Sequence, residues 1–98
     1  MDKIMRNRPR PGEQWRHYKH NPKDKKTRNN YNYTIIGIAY FNARNKDKEE
    51  LCVVYRPLYE SEHLQEHDDV DMYVRPFEVF MGKVKKDGDE FWRFERIS

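Results

Sequence analysis

The segment of residues 31–41 constrains the fold more than any other stretch of this 98-residue chain. If the segment is extended, successive side chains point to opposite faces of a sheet. The odd-numbered positions would form one face and the even-numbered positions the other: Tyr33, Ile35, Gly37, Ala39 and Phe41 against Thr34, Ile36, Ile38 and Tyr40. Both faces are mainly apolar, which predicts a central strand of the sheet.

Shorter β-rich runs on either side of this segment predict neighbouring strands. Residues 14–18 favour a first strand, and residues 72–75 favour another strand later in the chain. Residues 50–56 follow the polar run 42–48 and are predicted to return antiparallel to the central strand. These runs together indicate a small antiparallel sheet.

The last quarter of the chain predicts a helical turn and a second hairpin. Pro76 suits the first position of a helix, which would bring Phe77, Phe80 and Met81 to the core at spacings of three and four. The turn Lys86-Asp87-Gly88-Asp89 separates two further strands, 83–86 and 90–94. Five to six short strands with one or two helical turns predict a mainly β domain, either a small, highly curved sheet or an SH3-like barrel.

Charge is distributed unevenly along the chain. Residues 1–28 contain ten Lys or Arg and three acids, a net charge of +7, whereas residues 29–98 contain ten and fourteen, a net charge of −4. Residues 1–11 have prolines between arginines, which predicts a basic extended arm. The excess positive charge therefore belongs to one end of the chain.

The length of the chain predicts a single domain over residues 12–98. Within it, residues 21–30 are interpreted as a basic loop. Residues 60–71 contain six acids and no Lys or Arg, and are interpreted as an acidic insert.

Cysteine content and hydropathy predict a cytoplasmic protein. Cys52 is the one cysteine, which excludes an internal disulfide, and its apolar neighbours indicate a buried residue rather than a nucleophile. We find no apolar run long enough to span a membrane and no signal-peptide pattern at the start. His63 and His67 match the pattern H-x-x-E-H of some zinc peptidases, but the segment is too short for a buried helix, so no metal site and no cofactor is predicted.

Four segments together resemble the small bacterial and phage family DUF1653, a domain of unknown function. They are residues 12–20 (GEQWRHYKH), 33–39 (YTIIGIA), 50–59 (ELCVVYRPLY) and 72–84 (MYVRPFEVFMGKV). The resemblance implies a compact β-rich domain in a bacterial host cell and implies no activity. The loops 23–30 and 60–71 are longer here than is usual in that family, and the segment before Gly12 is additional.

Two arginines each precede a proline, in VVYRPLY and MYVRPFEVF. A residue before proline is held extended, so Arg56 and Arg75 are predicted to be oriented before any ligand arrives. A guanidinium suits phosphate oxygens, and nearby aromatic rings can stack on a base. The shared pattern V-x-R-P predicts that the two cations lie close together. The alternative is that each pairs with an acid such as Glu50 or Glu78.

The run WRHYKH, residues 15–20, is a second candidate for ligand contact. On a strand Trp15, His17 and Lys19 would share one face, so that cationic or imidazole groups reach the surface beside aromatic ones. The alternative is a strand whose aromatic residues are core and whose charges are solvated. The complete predicted ligand-binding set is Trp15, His17, Lys19, Tyr55, Arg56, Tyr59, Tyr73 and Arg75.

These observations favour a non-catalytic binding protein for a phosphate-bearing nucleotide. It would form a homo-oligomer and sequester a nucleotide-derived signal of the kind used in defence against phages. The alternative is an RNA or single-stranded DNA binding module that uses an aromatic β surface and basic side chains at Arg6, Arg8, Arg10, Lys25, Lys26 and Arg28.

A small nucleotide-processing enzyme is a third possibility. A carboxylate such as Glu78 near Arg75 and His17 would be its general base. The chain has few of the residues and motifs that other enzyme classes need. Ser61 and Ser98 are its only serines, and no Gly-rich phosphate loop precedes a helix. We therefore expect no catalytic residues.

Overall fold

The computed structural model describes residues 6–23, 30–42, 50–59 and 70–98. These residues form seven strands and one helix in chain order: β1 (Gln14–His17), β2 (Asn32–Phe41), β3 (Glu50–Pro57), β4 (Tyr73–Pro76), α1 (Phe77–Met81), β5 (Lys83–Lys86), β6 (Asp89–Trp92) and β7 (Phe94–Arg96). The predicted mainly β class is confirmed. Among the described residues, no helix has the length and apolar content needed to span a membrane.

Five strands form one antiparallel sheet in the order β4-β3-β2-β1-β7, and β5 pairs with β6 in a separate hairpin. β2 is the longest strand and has partners on both sides, as expected for a central strand. In the described part of the chain the large sheet ends at β4 and β7. It is therefore a small curved sheet and does not close into a barrel.

A β-bulge divides β2 into two parts. Ile35 and Gly37 pair with the adjacent residues Tyr55 and Val54 of β3, so Ile36 has no partner of its own on that strand. One extra residue reverses the alternation of side chains beyond it. The prediction that the odd-numbered positions share one face along the whole strand is wrong for this reason, and holds only before the bulge.

The core consists largely of aromatic rings. Helix α1 places Phe80 and Met81 in it, as the spacing after Pro76 predicted. The rings of Phe80 and Phe94 stack with centroids 4.0 Å apart and planes 7° from parallel, which adds to the stability gained from burying their area. The core residues are Trp15, Tyr33, Ile35, Val53, Tyr55, Phe80, Met81 and Phe94.

The predicted strand 90–94 is divided at Arg93, which belongs to neither β6 nor β7. The Arg93 N–H donates to the carbonyl of Gly82, and its own carbonyl accepts from the N–H of Tyr18. This bend lets β6 pair with β5 while β7 passes to the edge of β1. The hairpin turn is confirmed, with the positive φ angles of 54° at Asp87 and 83° at Gly88 that tight hairpin turns require.

Residues 6–11 contact the domain, although they belong to the predicted extended arm. The guanidinium of Arg6 lies 4.1 Å from the ring centroid of Trp92 and donates hydrogen bonds to the carbonyls of Met81 and Phe94. Pro9 is among the most completely buried residues. Cation–π attraction and hydrogen bonding to backbone carbonyls thus hold this end of the chain.

Candidate functional site

Arg56 and Arg75 lie on opposite faces of the large sheet. Arg75 of β4 pairs with Val53 of β3, and directly opposite residues of an antiparallel pair share a face. Arg56 is three positions from Val53, so its side chain points to the other face. The expected common receptor of the two arginines therefore does not form, because strand alternation places them on different surfaces in spite of their shared V-x-R-P pattern.

Arg56 forms an ion pair on the outer face. Its Nη2 lies 3.2 Å from Oδ2 of Asp71, and both side chains are exposed, at 44% and 62%. This is the carboxylate pairing considered as the alternative, with Asp71 in place of Glu50 or Glu78. Exposed pairs of this kind stabilise by about 0–1 kcal/mol. Arg56 is thus a poor candidate for binding an anion.

Arg75 is half-buried on the core face. Its Nε donates to the hydroxyl of Tyr55 at 3.0 Å, and its guanidinium carbon lies 5.4 Å from the ring centroid of Phe94. The ion pairs found among the described residues do not include it. A guanidinium carries five N–H donors, of which the Tyr55 contact uses one. The remaining donors are suited to an external anion.

Five tyrosines surround this region and form what we call the tyrosine cluster: Tyr31, Tyr33, Tyr55, Tyr59 and Tyr73. Tyr33 is central, with its ring centroid 5.0 Å from that of Tyr55, 5.8 Å from Tyr59 and 6.2 Å from Tyr73. Its hydroxyl is 2.9 Å from that of Tyr59. Tyr33 was predicted as core and not as part of a site. Tyr33 lies close to three predicted site residues because of the strand register, and the register cannot be read from the sequence.

Tyr33 and Tyr59 of the tyrosine cluster are held un-ionised by burial. Burial, followed by the hydrogen bond with Tyr59, raises the pKa of Tyr33, and burial also raises the pKa of Tyr59. Tyr33 is 6% exposed, whereas Tyr59 and Tyr73 are half-buried and Tyr31 is exposed. The cluster therefore has partly accessible phenol side chains beside Arg75, and a phenol hydroxyl can donate a hydrogen bond to an anion.

His17 is a buried neutral imidazole at the edge of the cluster. Its ring centroid lies 4.9 Å from that of Phe94 and 5.7 Å from that of Tyr31. Its Nδ1 accepts the backbone N–H of Lys19 at 3.2 Å, so the neutral ring carries its proton on Nε2. Burial, and then the positive charges of Arg75, Arg93 and Lys19, lower the pKa of His17 to about 4.

The structure therefore brings together most of the predicted ligand-binding residues. His17 and Arg75 share Phe94 as a neighbour, and the tyrosines of the predicted set belong to the tyrosine cluster. Phe94 was predicted only as a strand residue. Its long-range contacts make it the common support of both polar groups.

Trp15 and Lys19 do not contribute to this arrangement as expected. Trp15 is 3% exposed, its ring centroid is 5.5 Å from that of Phe80, and its Nε1 donates to Oε1 of Glu13 at 3.1 Å. It is a core residue and offers no open face to a base. Lys19 is exposed and contacts His17 through its backbone N–H.

The basic residues of the nucleic-acid alternative have different environments. Arg6 is engaged with Trp92 and two backbone carbonyls, and the Arg8 guanidinium lies 5.3 Å from the ring centroid of Phe77. Arg10 is exposed.

Across residues 6–23, 30–42, 50–59 and 70–98, no group of three or more His, Cys, Asp or Glu is placed to hold a metal ion. Outside the described residues lie Lys25, Lys26, Arg28, His63 and His67.

The low pKa of His17 predicts that the protein loses stability in mild acid. The unfolded histidine has a pKa near 6.5 and the folded one near 4, so below about pH 6.5 the unfolded state binds the extra proton. The stabilising contribution is complete above pH 6.5 and is lost as the pH falls towards 4. We expect the free energy of unfolding to fall by about 2–3 kcal/mol between pH 7 and about pH 4.5 because of this group.

Urea unfolding at the two pH values measures this loss, with His17→Gln as the test variant. The half-exposed His20 on the same segment supplies the control, His20→Gln, which removes an imidazole without the burial. We expect His17→Gln to lose about 2–3 kcal/mol less than the wild type and His20→Gln to behave like the wild type. Equal losses in all three proteins would show that His17 is not kept neutral by the fold.

Comparison with known proteins shows one relationship. A family model described as a protein of unknown function (DUF1653) matches residues 13–96. The match includes all seven strands, the tyrosine cluster, His17 and Arg75, and begins after most of the N-terminal segment. No curated protein and no solved structure gives a significant match.

Proposed function

We propose that this chain, which belongs to the DUF1653 family, is a non-catalytic binding protein for a ligand that carries a phosphate group and an aromatic ring, such as a nucleotide. One observation carries the proposal. Arg75 is a half-buried cation that contacts Tyr55 and Phe94 and has no carboxylate partner among the described residues. A half-buried cation whose charge is not balanced by a carboxylate of the described residues is suited to binding an anion from outside the domain.

The phosphate would bind at the guanidinium of Arg75. The hydrogen bond from its Nε to Tyr55 holds the planar group in one orientation, which lowers the entropy lost when an anion binds. A guanidinium donates hydrogen bonds to two phosphate oxygens at once, and such charge-assisted bonds are roughly twice as strong as neutral ones.

The aromatic part of the ligand would lie against the tyrosine cluster. Tyr59 and Tyr73 are half-buried and Tyr31 is 36% exposed, so their rings have accessible surface next to the buried ones. Stacking of a base on an aromatic side chain contributes about 1–3 kcal/mol. A cation with aromatic faces beside it favours a nucleotide over inorganic phosphate.

Sequestration of a nucleotide-derived signal and assembly into a homo-oligomer belong to the same proposal. A protein of this kind retains its ligand without changing it, and subunit boundaries give a small domain additional pocket surface. Native mass spectrometry of the protein taken directly from cells reports the subunit number and the mass of any co-purified nucleotide.

The salt dependence of binding distinguishes a nucleotide from a nucleic-acid strand. We expect AMP, ADP or a dinucleotide to bind with an affinity that falls by less than about tenfold between 50 and 200 mM salt, because few phosphates are contacted. A strand held by 6–10 phosphate contacts would lose about 10³–10⁵ in affinity over the same range. Isothermal titration calorimetry at several salt concentrations measures both.

A single-stranded oligonucleotide of mixed sequence is the comparison ligand. If it binds and the three nucleotides do not, the protein is a nucleic-acid binder and the proposal fails. The mass of each nucleotide recovered after incubation is a separate control. A changed mass would show that the protein is an enzyme.

A further inference from the structure

A near-parallel pair of aromatic rings lies outside the site just described. The ring centroids of Tyr18 and Phe91 are 6.4 Å apart and their planes differ by 11°. Phe91 is 43% exposed, so a large part of this apolar side chain contacts solvent. A planar group that lies parallel to one of these rings is also nearly parallel to the other and can stack on both.

The ring pair lines an open groove with a volume of about 360 Å³. This is near the lower end of the volumes of small-molecule sites. One side of the groove is lined by residues 16–20, and the other by residues of β6 and β7 and the end of the chain. The lining residues that matter here are Arg16, Tyr18, His20, Phe91, Trp92 and Arg96.

Backbone hydrogen bonds fix both walls of the groove. The Tyr18 N–H donates to the carbonyl of Arg93 at 3.0 Å, which ties the end of β1 to the bend between β6 and β7. Phe91 pairs with Val84 in the β5–β6 hairpin. The two rings are therefore set before a ligand arrives, and less conformational entropy is lost on binding.

Two histidines give the groove complementary hydrogen-bonding groups. His17 accepts the Lys19 N–H at Nδ1, so its neutral ring offers an N–H at Nε2. His20 has Nδ1 2.6 Å from the carbonyl oxygen of Asn30, and a carbonyl only accepts, so the neutral ring of His20 offers a bare nitrogen at Nε2. Both residues line the groove. The edge of a nucleobase presents donors and acceptors of the same kinds.

Two arginines add positive charge beside the rings. Arg16 donates from Nε to the side chain of Asn32 at 2.9 Å, and Arg96 pairs with Glu13 at 3.3 Å. Arg96 also donates from Nε to the carbonyl of Ser98 at 3.3 Å, and each guanidinium has further N–H donors. Glu95 is the acid in the lining, so the groove has a net positive charge that suits a base attached to phosphate.

We infer that this groove is a second binding site, for an unpaired nucleobase that stacks on Tyr18 and Phe91. The inference rests on the groove and does not require the proposed function at Arg75. The base can come from a free nucleotide or from a single strand of nucleic acid, since both present the same ring. A paired base is excluded because its faces and edge are occupied in the duplex.

Fluorescence of Trp92 provides the test, because this residue lines the same groove. We would titrate the full chain with adenosine, AMP and a short single-stranded oligodeoxyadenylate. We expect saturable quenching, and we expect Phe91→Ala to weaken binding by roughly 5- to 150-fold, the equivalent of the stacking of one base. Phe91→Leu keeps the apolar surface and lacks the aromatic face, and it should weaken binding by about as much as Phe91→Ala.

Several outcomes would overturn the inference. They are the absence of saturable quenching with all three probes, and a Phe91→Leu variant that binds as well as the wild type. Arg56→Ala, on the outer face of the large sheet, should leave adenosine binding unchanged, and a loss of binding in this variant would mean that the base does not bind in the groove. Tighter binding of the oligodeoxyadenylate than of AMP would identify a single strand as the source of the base, and equal binding would identify a free nucleotide.

Discussion

Replacement of Phe94 by alanine is expected to lower the free energy of unfolding by about 3–5 kcal/mol, as is usual for a buried phenylalanine. Phe94 is 1% exposed and stacks on Phe80 with centroids 4.0 Å apart. Its ring also contacts Tyr33 and Tyr55, at 5.8 Å and 5.6 Å. A domain of this size has a thin core, so such a loss removes a large part of a total that is commonly about 5–15 kcal/mol.

Urea unfolding of Phe94→Ala, followed by far-ultraviolet circular dichroism, measures this loss. Phe91→Ala is the matched control, because it removes the same ring from a position that is 43% exposed. We expect the control to stay within about 0.5 kcal/mol of the wild type, as most surface substitutions do. Similar losses in the two variants would mean that Phe94 is not the centre of the aromatic core.

Replacement of Arg75 by alanine is expected to remove most of the affinity for a phosphate-bearing nucleotide. Hydrogen bonds to charged groups contribute about 1.5–3 kcal/mol each, so the loss should be roughly 10- to 150-fold or greater. Arg75→Lys keeps the charge and loses the planar fork, and should recover only part of the binding. Isothermal titration calorimetry with AMP, ADP and a dinucleotide gives these affinities.

Arg56→Ala is the matched control for this prediction. Arg56 also precedes a proline, but it lies on the opposite face of the sheet and pairs with Asp71. We expect its removal to leave nucleotide affinity within about twofold, since an exposed pair contributes little. If Arg56→Ala loses binding and Arg75→Ala retains it, the ligand binds the outer face and the site described above is wrong.

The parts of the fold that follow from local pattern could be predicted from the sequence. Alternation along residues 31–41 predicted β2, short β-rich runs predicted β1 and β3, and the spacing after Pro76 predicted helix α1. The bulge at Ile36 was not predicted: the glycine at position 37 is of a type often found at bulges, but the extra residue itself is visible only in the pairing with β3. The division of the last strand at Arg93 depends on the hydrogen bonds that Arg93 donates to Gly82 and accepts from Tyr18, and both partners are distant in sequence.

The candidate site was predictable in composition and less so in geometry. Residue types identified His17, Arg75 and three tyrosines, because cations and aromatic rings are what a nucleotide requires. The relative position of Arg56 and Arg75 depends on the register between β3 and β4, and one residue of shift would reverse it. Tyr33 and Phe94 were missed as site residues, since their role comes from long-range packing around Arg75.

The most direct test of the proposed site is a crystal structure of the protein with the tightest-binding of AMP, ADP and the dinucleotide. We expect phosphate oxygens at about 2.7–2.9 Å from the guanidinium nitrogens of Arg75, with the base against Tyr59, Tyr73 or Tyr31. A nucleotide whose phosphate lies on another surface, while Arg75 contacts only Tyr55 and Phe94, would contradict the assignment of Arg75 as the phosphate-binding residue.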